Sequence, residues 1–187
     1  MTRILQTIGP QGAGKSTFCE SLMAEKIGGV AYASRDRFLV GRYGSEAWNP
    51  YSGAMQEGMK YFWQHVAHLA SEHRVVLLEC FCDDQRHFSD LQCGISLATN
   101  WSSTRLTYEA LWFDTPNHIC AEWYVSREQK VPQTERERNL SISFARSASR
   151  GFRRSASRIL WNFETIWHID PRQLPLFSYS EILGLRA

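Results

Sequence analysis

The nine residues GPQGAGKST, from Gly9 to Thr17, separate a short apolar run from a longer amphipathic stretch. Gly9, Gly14, Lys15 and Ser16 carry the spacing G-x-x-x-x-G-K-[ST], and they stand where its mechanism demands, after a strand and at a helix start. Glycine at 12 and 14 lets the backbone curl until its N–H groups converge on phosphate oxygens at the positive end of that helix. Lys15 is then placed to reach β- and γ-phosphates, and the Ser16 hydroxyl to ligate Mg²⁺. Ala13 and Thr17 complete the expected contact set for a nucleoside triphosphate. The plainer alternative is a glycine-rich turn with an incidental Lys-Ser pair, and the flanking strand and helix argue against it.

Such a loop needs a sheet to leave from, and the rest of the chain supplies one. RILQTIG (3–9), GVAYAS (29–34), RVVLLECF (74–81), YEALWF (108–113) and TIWHID (165–170) read as strands, and the nearly continuous apolarity of the third suits a strand covered on both faces. Amphipathic segments alternate with them: 15–27, a long one from Tyr51 to about His73 with Met55, Met59, Phe62, Val66 and Leu69 at three- and four-residue intervals, and Gln85 to Ala98. The expectation is an α/β fold, a parallel sheet of about five strands flanked by helices. From Pro116 to Arg158 charged and small residues dominate, with Pro132 dividing two helices, and this segment reads as a helical lid over about 116–158 of a single domain, 1–187.

At 187 residues the chain suits one well-buried unit. Its formal net charge of +2 is too small to point to a nucleic-acid partner, so any such argument rests on where the arginines lie. Five cysteines, an odd number scattered through apolar segments, suggest reduced thiols and a cytoplasmic protein. No stretch approaches eighteen apolar residues, so no membrane span is expected. Cys80, Cys82, His87 and Cys93 match no common zinc spacing and read as plain thiols and a lone histidine. Oligomeric state has no signature here.

YASRDRF, residues 32–38, sets Asp36 between Arg35 and Arg37 just past the second strand. A solvated ion pair is the ordinary fate of such a triplet. In a parallel sheet, however, ligands gather at the carboxyl ends of strands, which puts Asp36 on the same rim as the phosphate loop. There the carboxylate suits a base that accepts the proton of an incoming hydroxyl, and Arg35 or Arg37 suits an acceptor phosphate.

These two motifs, GPQGAGKST and the Ser34-Arg35-Asp36 triplet, resemble in order and spacing the P-loop kinases of the bacteriophage-type polynucleotide 5'-hydroxyl kinase family. The resemblance implies a P-loop NTPase fold of the adenylate-kinase-like kind, ATP and Mg²⁺ as cofactors, and Asp36 as general base. SREQKVP (126–132) stands where the family has a lid arginine followed by Val-Pro, so Arg127 would clamp the nucleotide phosphates with Lys130 as helper. The family's central strand often ends in Asp-x-Thr or Asp-Thr-Asn; here LLECFCDD makes Glu79 the stand-in that orders the metal's water shell, with Asp83 and Asp84 in reserve. Trp123 stands where the lid helix often carries a further arginine.

For an acceptor, RSASRGFRRSASR (146–158) offers arginines among small residues with no acid between them. On a helix Arg146, Arg150, Arg153, Arg154 and Arg158 share one side, which suits a phosphodiester backbone and equally a solvated face. Trp48, Asn49, Pro50 and Tyr51, with Tyr43, suit base stacking or corner packing, and Arg86 a substrate phosphate or plain solvation. The expected activity is transfer of a γ-phosphoryl group to a 5'-hydroxyl end of DNA or RNA. The alternatives are a kinase acting on a hydroxymethylated base within DNA, on a nucleoside, nucleotide or small metabolite, or a nucleotide-binding regulator without transfer.

Overall fold

The computed structural model describes residues 1–44, 47, 54–80, 85–127, 134–173 and 182–184. The five strands β1 (Thr2–Ile8), β2 (Val30–Ser34), β3 (Val75–Glu79), β4 (Leu106–Phe113) and β5 (Ile166–Ile169) form one parallel sheet in the order β2-β3-β1-β4-β5. Among the described residues six helices flank it: α1 (Lys15–Ala24), α2 (Arg35–Tyr43), α3 (Ala54–Glu72), α4 (Gln85–Trp101), α5 (Asn117–Arg127) and α6 (Glu135–Leu160). A 3-10 turn, Pro171–Gln173, follows β5.

Because side chains alternate along a strand, each central strand feeds two cores. Ile4, Ile8, Val76, Leu78, Ala110 and Trp112 pack on one face with Phe62 of α3, Phe88 of α4 and Phe152 of α6. Leu5, Val75, Leu77, Leu111 and Phe113 pack on the other with Phe18 of α1, Cys120 of α5 and Ile182 and Leu183 near the C-terminus. This double burial is why the strands read as apolar runs. On β1 the charged exception, Arg3, lies in a bidentate pair with Glu109 of β4 at 2.6 and 2.7 Å, and Trp167 of β5 donates to the same carboxylate at 2.7 Å. Burial works against the Glu109 charge, but the bonds from Arg3 and Trp167 outweigh it and hold its carboxyl below the usual range.

The architecture agrees with the sequence expectation, and two details differ. Residues 35–43 form a helix, so Asp36 sits in the first turn of α2 and not in a turn or loop. The long third helix is described over Ala54–Glu72, and residues 48–53, which carry Trp48, Asn49, Pro50 and Tyr51, lie outside the described residues. Tyr43 packs: a Cβ at Gly58 of α3 would meet its ring at 2.9 Å, so it fills the α2–α3 contact.

The second difference concerns the lid. Its two helices exist as α5 and α6, with α6 opened by a capping box between Thr134 and Glu137. The second half of α6 is core, however, because Phe152, Ala156 and Ile159 recur at i, i+4 and i+7 and are buried, Phe152 stacking on Trp112 at 5.6 Å. The part of the expected 116–158 lid that follows Ser149 therefore belongs to the body of the fold. Among the described residues no helix is long and apolar enough to cross a membrane.

Candidate active site

The loop after β1 curls as its glycines allow. Gly12 and Gly14 take φ of +75° and +87°, the left-handed region that side chains avoid. The Ala13 amide donates back to the Pro10 carbonyl at 3.2 Å, and Thr115, buried after β4, fixes the turn by donating to the Ala13 carbonyl at 2.9 Å. Helix α1 then starts at Lys15, its amides aimed into the loop. Lys15 Nζ folds over the cradle and donates to the carbonyls of Gly9 and Pro10, both at 2.7 Å. Thr17 is exposed at the second turn position behind Ser16.

Helix α5 roofs this loop. A Cβ on Gly12 would strike the Cys120 carbonyl oxygen and come within 3.1 Å of Tyr124, and one on Gly14 would meet Trp123 at 3.2 Å and Pro171 at 3.0 Å. The roof is tied down from α6. Arg153 donates to Asp114 at 2.5 Å, to the Thr115 carbonyl at 2.6 Å and to Asn117 at 2.9 Å, and Ser149 donates to Asn117 at 2.5 Å. Burial pushes the Cys120 thiol up, against the Ser149 hydroxyl and the charges of Arg153 and Lys15, which keeps it a neutral spacer between roof and loop.

Ser16 Oγ donates to Glu79 Oε1 at 2.5 Å. Glu79 ends β3, and the register of β3 against β2 pairs it with Ser34. Tyr32, two residues earlier on β2, donates its hydroxyl to the other oxygen of Glu79. Burial first, then the hydrogen bond to Glu79, push the Tyr32 hydroxyl well above its ordinary range, so it remains a donor at all working pH values. The result is a hydroxyl and an oriented carboxylate at the mouth of the cradle, hard oxygen donors of the kind Mg²⁺ takes while keeping several waters. Ser16 is thus fit to ligate the ion and Glu79 to hold its waters. Asp83 and Asp84, the reserve acids, lie outside the described residues.

Asp36 follows Ser34 by two residues, so the Ser34–Glu79 pairing carries it to the same rim. Its carboxylate is open, with the side chain 62% exposed, and it accepts two hydrogen bonds from Arg35 at 2.6 and 2.8 Å. Arg37 does not join that pair. It turns back to Glu20 of α1 and lies over the Tyr32 ring at 5.6 Å, so Asp36 is flanked by one guanidinium instead of two. Arg127 closes α5, its side chain not described; Lys130 lies outside the described residues; Arg86 opens α4, again without a described side chain. Arg146, Arg150 and Arg154 are exposed on α6, away from its buried side.

Tyr32, Thr115 and Arg153 were not singled out from sequence for these positions. Only the strand order brings Tyr32 beside Glu79, and only helical phase separates Arg153 from its neighbours. Replacing Tyr32 with phenylalanine is expected to raise the Mg²⁺ concentration needed for half-maximal turnover by about tenfold, since partners that orient metal-holding carboxylates carry effects of that size. Metal-free ATP binding should stay within twofold. A Mg²⁺ titration of both variants reads the difference, and equal titrations would remove Tyr32 from the site.

No protein-family model and no curated sequence matches the chain. Solved structures do. A fungal RNA kinase superposes with a TM-score of 0.57 at 14% identity over 98% of this chain and 82% of its own. Shikimate kinase from Acinetobacter baumannii gives 0.58 at 15% identity, over 100% and 95%. A chain of an RNA repair complex gives 0.57 at 16% identity over 82% of this chain, which spans only 45% of that longer protein. The fold is that of the P-loop kinases, adenylate-kinase-like in its five-stranded parallel sheet.

Proposed function

We propose that the chain is an ATP- and Mg²⁺-dependent phosphotransferase whose acceptor is the 5'-hydroxyl end of a polynucleotide. The observation that carries this reading is the Ser34–Glu79 register, which sets the exposed Asp36 carboxylate on the rim where Glu79 meets Ser16 of the phosphate loop. Phosphoryl transfer asks the protein mainly for positioning and for charge stabilisation, with one group to orient or deprotonate the acceptor.

In this reading the loop amides from Gly12 to Ser16 and the Lys15 ammonium hold the β- and γ-phosphates. Ser16 would ligate Mg²⁺ and Glu79 would hold its waters, and the ion would there supply neutralisation of charge on the phosphate oxygens. Asp36 accepts a hydrogen bond from the acceptor hydroxyl and takes its proton as the new bond to the γ-phosphorus forms and the bond from that phosphorus to the β,γ-bridging oxygen breaks, releasing ADP. Arg35 donates twice to Oδ1 of that carboxylate and does so without engaging Oδ2 in those bonds. Arg127, on the lid helix, is assigned to the charge that develops on the transferring group. The open setting of Asp36 supports a bulky acceptor, and the polynucleotide class follows from the motif resemblance.

The test is transfer from radiolabelled ATP to 5'-hydroxyl DNA, 5'-hydroxyl RNA, a duplex carrying a hydroxymethylated base, nucleosides and small alcohols. Label on the 5'-hydroxyl oligonucleotides at rates at least tenfold above the others is expected. Preferential labelling of the modified base or a small alcohol would keep the transfer chemistry and discard the acceptor.

A further inference from the structure

The arginines of α6 divide into two kinds. Arg153 is spent on Asp114, Thr115 and Asn117, holding the roof of the cradle. Arg146, Arg150, Arg154 and Arg158 are all exposed, and they recur every four residues on the side opposite Ala145, Phe152, Ala156 and Ile159, which are buried. Their row is about 18 Å long at 1.5 Å per residue. No acid occurs between Glu137 and Glu164, and among the described residues none of the four is held by an ion pair.

We propose that this outer face of α6 is an exosite for single-stranded nucleic acid, gripping the sugar–phosphate backbone at a distance from the transfer site; it rests on the polynucleotide reading given above. Charge complementarity selects the occupant. Four guanidinium groups in a row, none ion-paired among the described residues, match a row of phosphates, to which each offers a planar fork of donors. Ser147, Gly151 and Ser157, all exposed on the same side, keep the spaces between them low enough for a backbone to lie along the helix. Trp161 ends the row. It caps α6 with its ring 90% exposed, a platform on which an unpaired base stacks and a duplex base does not. A membrane surface fits less well, because a helix lying in a lipid interface needs a long free apolar face; beside the arginine row Phe152, Ala156 and Ile159 are buried in the core, and only Leu140 and Phe144, in the first half of α6, are exposed.

The face is distinct from the cleft. The side of α6 that reaches toward the cradle is the Ser149–Arg153 edge, packed on Asn117, whereas Arg154 and Arg158 lie further round the helix toward solvent. A long acceptor therefore meets both regions, while a very short one meets only the cleft.

The experiment measures binding and turnover separately with the full chain. Fluorescence anisotropy with a 5'-phosphorylated strand of about twenty nucleotides, which is no acceptor, reads the face without ATP. The triple variant R146A/R150A/R154A is expected to weaken that binding about tenfold or more and to lower the slope of log K against log salt by about 2, from three lost contacts of about 0.7 each on a single strand. The triple arginine-to-lysine variant should retain most of the slope, and Trp161→Ala should lose affinity without changing it. In turnover, the triple alanine variant should raise KM for a long 5'-hydroxyl strand and leave kcat, while KM for a 5'-hydroxyl trinucleotide changes less than twofold. Unchanged affinity and slope would overturn the exosite, as would an equal loss on the trinucleotide, which would put these arginines in the cleft. Arginine-dependent binding to phosphatidylserine vesicles with none to the strand would overturn it in favour of a lipid surface. Strand binding that depends on the arginines, without transfer to any 5'-hydroxyl, would support the exosite and sink the acceptor assignment.

Discussion

Asp36→Asn is expected to slow phosphoryl transfer by about a hundredfold to ten-thousandfold, the range that a positioned proton acceptor contributes. The side chain keeps its shape and can still meet Arg35, so the fold has little reason to respond. What disappears is the charge that draws the acceptor proton. The loss should fall on kcat in single-turnover rapid quench, with the Kd for ATP unchanged, because the phosphate loop and the Ser16–Glu79 pair do not depend on Asp36. Asp36→Glu, which restores the carboxylate at a longer reach, should recover part of the rate. A structural role would behave differently: the Asn variant would melt at a lower temperature and lose ATP affinity together with rate. If transfer stays within a few-fold of the original, Asp36 is an exposed partner of Arg35 and the base must be sought elsewhere on the rim.

The sheet and the cradle were legible in the chain for the same reason. A strand buried on both faces has to be apolar throughout, so RVVLLECF announced β3, and a loop that closes on phosphates has to place glycine where φ is positive, as at Gly12 and Gly14. Helix α2 was not legible. Phe38, Leu39 and Val40 are adjacent instead of spaced three or four apart, charges crowd its first turn, and only Leu39 is fully buried, so no helical period marks it. The inner half of α6 did carry its period in Phe152, Ala156 and Ile159, but the arginines around them drew the whole segment into the lid. Charge on one face of a helix is no guide to what the opposite face does.

Within the site, residues that act through their own chemistry were visible and those that act through neighbours were not. Lys15, Ser16 and Asp36 stand in motifs. Glu79 gained its standing only as a substitute for another acid, and it took the β2–β3 register to show Ser16 on one of its oxygens and Tyr32 on the other. Arg37 illustrates the opposite error. Adjacent in sequence to Asp36, it lies on a different side of α2, since successive residues on a helix are turned by about 100°, and it pairs with Glu20 on α1 instead.

Gly12→Ala tests the seating of the roof on the cradle, and its effect is expected to fall on ATP binding, which loss of the base leaves alone. Two penalties coincide at this position. An alanine at φ of +75° bears about 1 to 2 kcal/mol of left-handed strain. Its methyl group would also be driven into the Cys120 carbonyl oxygen, which is backbone of α5 and cannot swing aside as a flexible side chain would. Such overpacking adds about 1 to 3 kcal/mol. The loop cannot retreat easily, because Thr115 holds the Ala13 carbonyl from below. Relief therefore comes from lifting α5, and with it the link from Asn117 to Ser149 and Arg153 of α6. ATP affinity, read by isothermal titration, should fall by more than tenfold, and the urea midpoint should fall with it. Gly151→Ala supplies the control: it sits in α6 with open space around the position and an ordinary φ, so the same methyl group there should leave ATP affinity unchanged and raise stability by about 0.5 to 1 kcal/mol. A Gly12→Ala protein that binds ATP as tightly as the original would mean that α5 does not rest on the loop, and the assignment of Arg127 to the transferring phosphoryl group would lose its support.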